Sequence, residues 1–171
     1  MSALAEQIIQ AATQAGLTVA TAESCTGGLI AAALTDVAGS SAVFDRGFVT
    51  YSNEAKAEML DVPLSLTVDP GAVSHDVAKL MAEGAIEKAG VDCSVAVTGI
   101  AGPGGGSAAK PVGLVFIAVA SRNLATTVRE CRFGESHGAS ERGKIRNLTV
   151  QVALELLLER IAQESAGPPS P

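Results

Sequence analysis

The stretch Leu114 to Ala120 is apolar at every position, and Val91 to Thr98 is dominated by valine and small residues. Both are far shorter than the about 20 apolar residues that span a bilayer, so each reads as a strand buried on both faces. A sheet with such central strands needs cover on both sides, and the rest of the chain reads as supplying it. Leu4, Ile8, Ala11 and Ala15 recur at helical spacing, and Gly16 is a credible helix end. Leu17 to Ala22 then reads as a short strand. Leu29, Ile30, Ala33, Leu34 and Val37 form the apolar face of a second helix that stops near Gly39.

Val43 to Tyr51 reads as the next strand, interrupted by Asp45-Arg46-Gly47, and Ser52 or Asn53 caps a short helix ending at Leu60. Pro63 and Pro70 make Asp61 to Gly71 a loop. Ser74 caps a helix that carries Val77, Leu80, Met81 and Ala85 and stops near Gly90. A Gly-rich connection, Ala101 to Lys110, separates the strand Val91–Thr98 from the strand Val112–Ala120. Arg122-Asn123 turns the chain into Ala125 to Phe133, whose alternation suits an edge strand. A long helix, roughly Ser140 to Gln163, comes last. This order implies an α/β fold with a mixed, mostly parallel sheet and helices on both faces. Residues 1–164 read as a single domain, with a disordered tail over 165–171.

The formal net charge is −6 and the pI about 4.9, which favours solubility and argues against a nucleic-acid partner, since duplex binding needs a basic surface. No leader opens the chain and no run is long enough for a membrane span, so neither a membrane partner nor export is expected. The three cysteines and two histidines are in no metal-binding spacing, so no structural zinc site is expected. Free thiols are simplest in a reducing cytoplasm.

In open α/β sheets, ligands bind outside the carboxyl ends of the strands. Three expected strands end in polar groups: Glu23-Ser24-Cys25-Thr26, Tyr51-Ser52-Asn53 and Thr98-Gly99. The first places three nucleophile-capable side chains before Gly27-Gly28 at a helix start. Capping by Ser24 or Thr26 accounts for one hydroxyl; free N–H groups there would equally hold a phosphate or an oxyanion. Lys56 reads as a solvated surface lysine, or as a base if burial and the helix dipole lower its pKa. The stretch Gly99 to Ser107 is no P-loop, because Gly-Lys-Ser/Thr is missing and a strand follows. It is either a flexible connection or a backbone surface that approaches a ligand. Arg146 and Lys110 read as surface cations unless they face the same rim. His75, His137 and Cys93 receive no catalytic role. Cys25 is a possible nucleophile, with neither histidine placed to serve as its base.

Thr21 to Gly28, Gly47 to Lys56 and Thr98 to Pro103, extended by Gly105-Gly106-Ser107 and Lys110 to Gly113, closely resemble the CinA carboxy-terminal domain family over nearly the whole chain. The chain looks like the stand-alone form, without the amino-terminal domain of longer members. The resemblance implies a three-layer α/β/α sandwich with a mixed five-stranded sheet and one antiparallel strand. It also implies a nicotinamide-nucleotide amidohydrolase converting nicotinamide mononucleotide (NMN) and water to nicotinate mononucleotide and ammonia, with no metal or other cofactor, working as a homo-oligomer such as a dimer. Carried across, Ser24 matches the catalytic serine and Lys56 the catalytic lysine, while Tyr51, Thr98 and Arg146 match other polar positions.

The expected chemistry is acyl transfer, with Ser24 attacking the carboxamide and Lys56 as base. N–H groups at Cys25, Thr26 and Gly27, with Thr98, would stabilise the oxyanion. Tyr51 would orient Lys56 or donate a hydrogen bond. Gly99, Gly102 and the rest of their loop, with Arg146, would hold ribose and phosphate. Direct attack by water is the mechanistic alternative. A non-enzymatic nucleotide-binding or competence- and damage-associated interaction module is the alternative function. Phosphate-ester hydrolysis lacks the expected metal carboxylates.

Overall fold

A computed structural model describes residues 2–136 and 141–167. Five strands form one sheet in the order β2-β1-β3-β4-β5, with β1 Val19–Glu23, β2 Phe44–Val49, β3 Cys93–Gly99, β4 Leu114–Ser121 and β5 Thr127–Arg132. β1 pairs in parallel with β2 and β3, whereas β4 runs antiparallel to both β3 and β5. The single reversed strand is the one expected from the hairpin at Arg122-Asn123.

Side chains on the central strands alternate by size. Val95, Val97, Val115, Ile117 and Val119 point into one core, which they share with Ile8, Ile30, Leu34, Leu154 and Leu157. These come from α1 Ser2–Ala15, α2 Leu29–Thr35 and the long carboxy-terminal helix Arg142–Ser165. Ala20, Ala22, Ala96, Ala118 and Ala120 face the opposite core. That alanine surface lets a helix lie close, and Ser94 Oγ donates to the Ala82 carbonyl at 2.7 Å. The helices on this side are α3 Asn53–Leu60 and α5 His75–Ala89. Gly84 of α5 is needed where they cross, because a Cβ there would sit 2.3 Å from the Leu60 carbonyl oxygen. The result is a three-layer α/β/α sandwich.

Several expected boundaries move. β2 runs without a break, and its Asp45 step is a register shift: Val19 pairs with Phe44 but Ala20 with Arg46. It ends at Val49, leaving Tyr51 in the connection to α3. Asp61 to Gly71 is not a plain loop. Pro63 precedes a short helical turn, α4 Leu64–Leu66, and Thr67 to Gly71 continues it as a wide turn. Proline tolerates such a start because the amide it lacks has no helical partner there. Val112-Gly113 falls outside β4, since Gly113 has φ +93° and a Cβ there would meet the Gly134 amide at 2.4 Å. After β5 comes a short turn, α6 Phe133–Ser136, and the long helix is α7. It extends to Ser165, two residues beyond the expected end. His137, Ser140 and residues 168–171 of the expected tail lie outside the described residues. Among those described, no helix is long and apolar enough to cross a membrane.

Candidate active site

β1 and β2 end in register, and β3 runs two residues further. Glu23 pairs with Val49 on one side and Val97 on the other, so Ser24, Thr50 and Thr98 lie at one level, although Thr98 still pairs with Phe116 of β4. Hydrogen bonds fix that level: Ser24 N–H donates to Val97 O at 3.1 Å, and Thr50 N–H to Glu23 O at 2.9 Å. The expected common rim is therefore present.

Lys56 belongs to it. Ser52 Oγ accepts from Ala55 N–H at 3.0 Å and starts α3 immediately beyond β2. Lys56 lies on the first turn with its side chain directed back over the rim. It is 1% exposed. Its Nζ lies 2.8 Å from Thr50 O, 3.3 Å from Ser24 Oγ and 3.4 Å from Ser52 O. Burial is the main cause that lowers its pKa from the ordinary 10.5, opposed by the smaller influences of Cys25 and Glu54. Lys56 is thus a buried amine and not a solvated surface lysine.

The turn after β1 is held differently from either expected cap. Neither Ser24 nor Thr26 caps α2. The carboxylate of Glu23, fully buried, does so: Oε2 accepts from Gly28 N–H at 2.9 Å and Ile30 N–H at 3.1 Å, and Oε1 from Ala31 N–H at 2.8 Å. Sequence reasoning missed Glu23. The available signal was a carboxylate closing an otherwise uncharged strand. Gly27 N–H donates to Ser24 O at 3.1 Å, so it is not available to an oxyanion. The Thr26 N–H has no hydrogen-bond acceptor among the described residues, and the Cys25 N–H has none there beyond its own side chain.

The other expected site residues separate by what they touch. Arg146, on the second turn of α7, donates from Nε to Cys25 O at 3.1 Å and from Nη2 to Thr26 O at 2.8 Å. It faces the rim, but its two resolved bonds go to the turn. Tyr51 does not reach Lys56; its hydroxyl accepts from Arg142 Nη2 at 2.7 Å. Arg142 Nη1 also donates to Gly102 O at 2.9 Å. Arg142 was not singled out from sequence, although it lies four residues before Arg146 and hence on one helix face. Thr98 is not placed as an oxyanion donor, because its single hydroxyl proton goes to Ala72 O at 2.8 Å. Gly99 serves close packing, since a Cβ there would lie 2.6 Å from Val115 Cγ2; Gly102 has φ +76° and similarly abuts Val112. Lys110 is no free surface cation, as its Nζ donates to Pro70 O and Val73 O.

Cys25 is buried, and that burial is the main cause pushing its thiol up to about 11, against partial relief from its own backbone, Arg142 and Arg146. It is a neutral thiol near pH 7 and a poor nucleophile. Ser24 is left as the hydroxyl in contact with the buried Lys56 amine.

Known proteins share this arrangement of elements. A CinA-like protein of Geobacter sulfurreducens is 56% identical over 146 residues, covering 85% of this chain but 34% of its own length. The chain thus spans about a third of that longer relative. A nicotinamide-nucleotide amidohydrolase PncC of Escherichia coli is 48% identical over 163 residues, covering 95% of both chains. The crystal structure of the competence/damage inducible protein CihA from Agrobacterium tumefaciens superposes with a TM-score of 0.88 at 54% identity, covering 92% of this chain and 93% of that one. The CinA C-terminal domain profile matches residues 1–161, and the chain belongs to that family.

Proposed function

We propose that this protein hydrolyses the carboxamide of NMN, giving nicotinate mononucleotide and ammonia, with Ser24 as nucleophile and Lys56 as its base. One observation carries the reading: the Nζ of a buried lysine lies 3.3 Å from Ser24 Oγ at aligned strand ends. The match to the Escherichia coli amidohydrolase over nearly its full length supports the substrate.

Three oxygens surround Nζ, and it is burial that favours the neutral amine there. Such an amine has two N–H bonds and one lone pair. Thr50 O and Ser52 O take the two protons, and the lone pair is then directed to the Ser24 hydroxyl. Ser24 Oγ attacks the carboxamide carbon as its proton passes to Lys56. The resulting oxyanion is stabilised by the N–H groups of Cys25 and Thr26. Lys56 next protonates the leaving nitrogen, the C–N bond breaks, and ammonia departs from an acyl-Ser24 ester. Water then attacks that ester, Lys56 takes its proton, and Ser24 recovers it as the C–O bond breaks. The pyridinium charge of NMN disfavours a second cation beside it and keeps Lys56 neutral. Tyr51, Arg142 and the loop at Gly102 border the site where the ribose phosphate is held.

Ammonia release from NMN by the purified protein, compared with Ser24→Ala and Lys56→Ala, tests this directly. Both substitutions are expected to abolish turnover. NMN binding without ammonia release overturns the enzyme reading in favour of a binding module, and inorganic phosphate instead of ammonia indicates ester hydrolysis. Normal turnover by Ser24→Ala, with loss in Lys56→Ala, replaces serine attack by attack of water.

A further inference from the structure

The turn between Ser24 and Gly28 is gripped from two sides by opposite charges, neither of which pairs with the other. Glu23 takes the N–H groups of Gly28, Ile30 and Ala31, and Arg146 takes the carbonyls of Cys25 and Thr26. A trans peptide points its N–H opposite to its C=O. The Cys25 carbonyl and the Thr26 N–H belong to one peptide, so the guanidinium that draws in the first turns the second away from itself. The Ser24 carbonyl and the Cys25 N–H belong to the preceding peptide, whose carbonyl is held by Gly27 N–H. Positive φ at Gly27 and Gly28, +60° and +96°, closes the turn in this form. These two amides, which among the described residues meet no acceptor beyond the Cys25 side chain, are therefore also the two whose directions are set by bonds to their own peptide carbonyls.

We infer that Glu23 and Arg146 are positioning residues that orient the Cys25 and Thr26 N–H groups toward the atom Ser24 attacks. Neither touches the reacting atoms. This rests on the serine reading above and deepens it. It gives the buried carboxylate a role apart from acid–base chemistry, and gives Arg146 a role other than holding phosphate. A charged pair split across a turn is costly to bury. Each member is compensated here by backbone dipoles, which ties its presence to the shape of the turn.

The test uses an alkyl fluorophosphonate, so that it does not depend on the identity of the substrate. Ser24 Oγ attacks phosphorus, the P–F bond breaks with loss of fluoride, the serine proton goes to Lys56, and the phosphoryl oxygen occupies the amide site. Labelling is followed by intact mass with Ser24→Ala as control, beside NMN turnover. Glu23→Gln keeps one acceptor oxygen but turns an NH2 toward a backbone N–H. Arg146→Met keeps the aliphatic bulk, and because Arg146 is only half-buried this variant folds even if the first does not. Both are expected to label, and to turn over NMN, about ten- to a hundredfold more slowly. KM and the pH midpoint should stay unchanged, since the Lys56 contacts are intact. Wild-type labelling rates in both folded variants overturn the inference while leaving Ser24 in place. A shifted pH midpoint in Glu23→Gln also overturns it, because the carboxylate would then act through the charge on Lys56. No labelling of the unaltered protein overturns the serine reading itself.

Discussion

Replacing Lys56 by methionine separates the cost of the base from its use. Methionine fills nearly the same volume without a charge. It leaves Thr50 O, which accepts from Nζ at 2.8 Å, without that partner, at a cost of about 1–3 kcal/mol. The lysine brings an opposite term. Its folded-state pKa lies below 10.5, so between the lowered value and 10.5 the unfolded chain binds one more proton than the folded one. Stability then rises with pH, by up to about 1.4 kcal/mol per pH unit for a single proton. Below the lowered pKa the lysine is charged in both states, and the folded protein bears the full penalty of burying it. The difference in unfolding free energy, wild type minus Lys56→Met, should therefore be flat at low pH, climb through the window and level off near 10.5. At its upper end it should favour lysine by roughly 1–3 kcal/mol. Urea unfolding of both proteins from pH 6 to 10, with a common m-value, measures it; other titrating groups cancel in the difference. A difference independent of pH would show that Lys56 keeps its ordinary pKa, and the neutral-amine mechanism would fall with it. The same window should appear in turnover, which rises with pH through the lowered pKa.

Arg142→Ala and Tyr51→Phe each break the bond between their side chains. Each should raise the KM for NMN about three- to tenfold with little change in kcat, and the double variant should lose less than the product of the two. Cys25, pushed up to about 11 from 9.0, should be alkylated by iodoacetamide roughly a hundredfold more slowly than an ordinary thiol at pH 8, and Cys25→Ala should retain turnover within about threefold. Gly99→Ala must displace Val115 Cγ2 and Leu114 O, 2.6 and 2.9 Å from the new Cβ. Its expected cost is about 1–3 kcal/mol, a fall in Tm of roughly 3–10 °C by thermal unfolding.

What could be read in advance was whatever repeats locally. The valine and small residues of Val91 to Thr98 and the unbroken apolar run Leu114 to Ala120 marked central strands, because burial on both faces leaves little room for charge. Polar residues at the strand ends then marked the rim, because parallel strands bring those ends together. Contacts across the chain left no such trace. The hydroxyl of Thr98 is spent on Ala72, 26 residues away, and Arg146 reaches carbonyls 120 and 121 residues away. Nothing in the spacing of either residue names those partners. Glu23 was passed over for a related reason. Capping preferences favour short side chains at the cap position itself, whereas this carboxylate reaches α2 from the end of the preceding strand. The prolines of 61–71 suggested a loop because proline breaks helices, yet Pro63 stands where a helical turn begins.

The charged groups around the rim are met by backbone and not by one another. An ion pair with Glu23 would hold Lys56 protonated and remove its lone pair from use. Glu23 is instead saturated by three backbone N–H groups, and Glu54 exerts only a secondary pull. Lys56 and Arg146 are met in turn by backbone carbonyls, and among the described residues neither has a carboxylate within ion-pair distance. Backbone dipoles therefore do the compensating that opposite charges would otherwise do. A carbonyl, unlike a carboxylate, adds no net negative charge to stabilise an ammonium, so burial prevails and lowers the Lys56 pKa, as the proposed proton transfer from Ser24 requires. The rim thus holds the Arg146 guanidinium, the Glu23 carboxylate and the Lys56 amine, from three separate elements, with no ion pair among them.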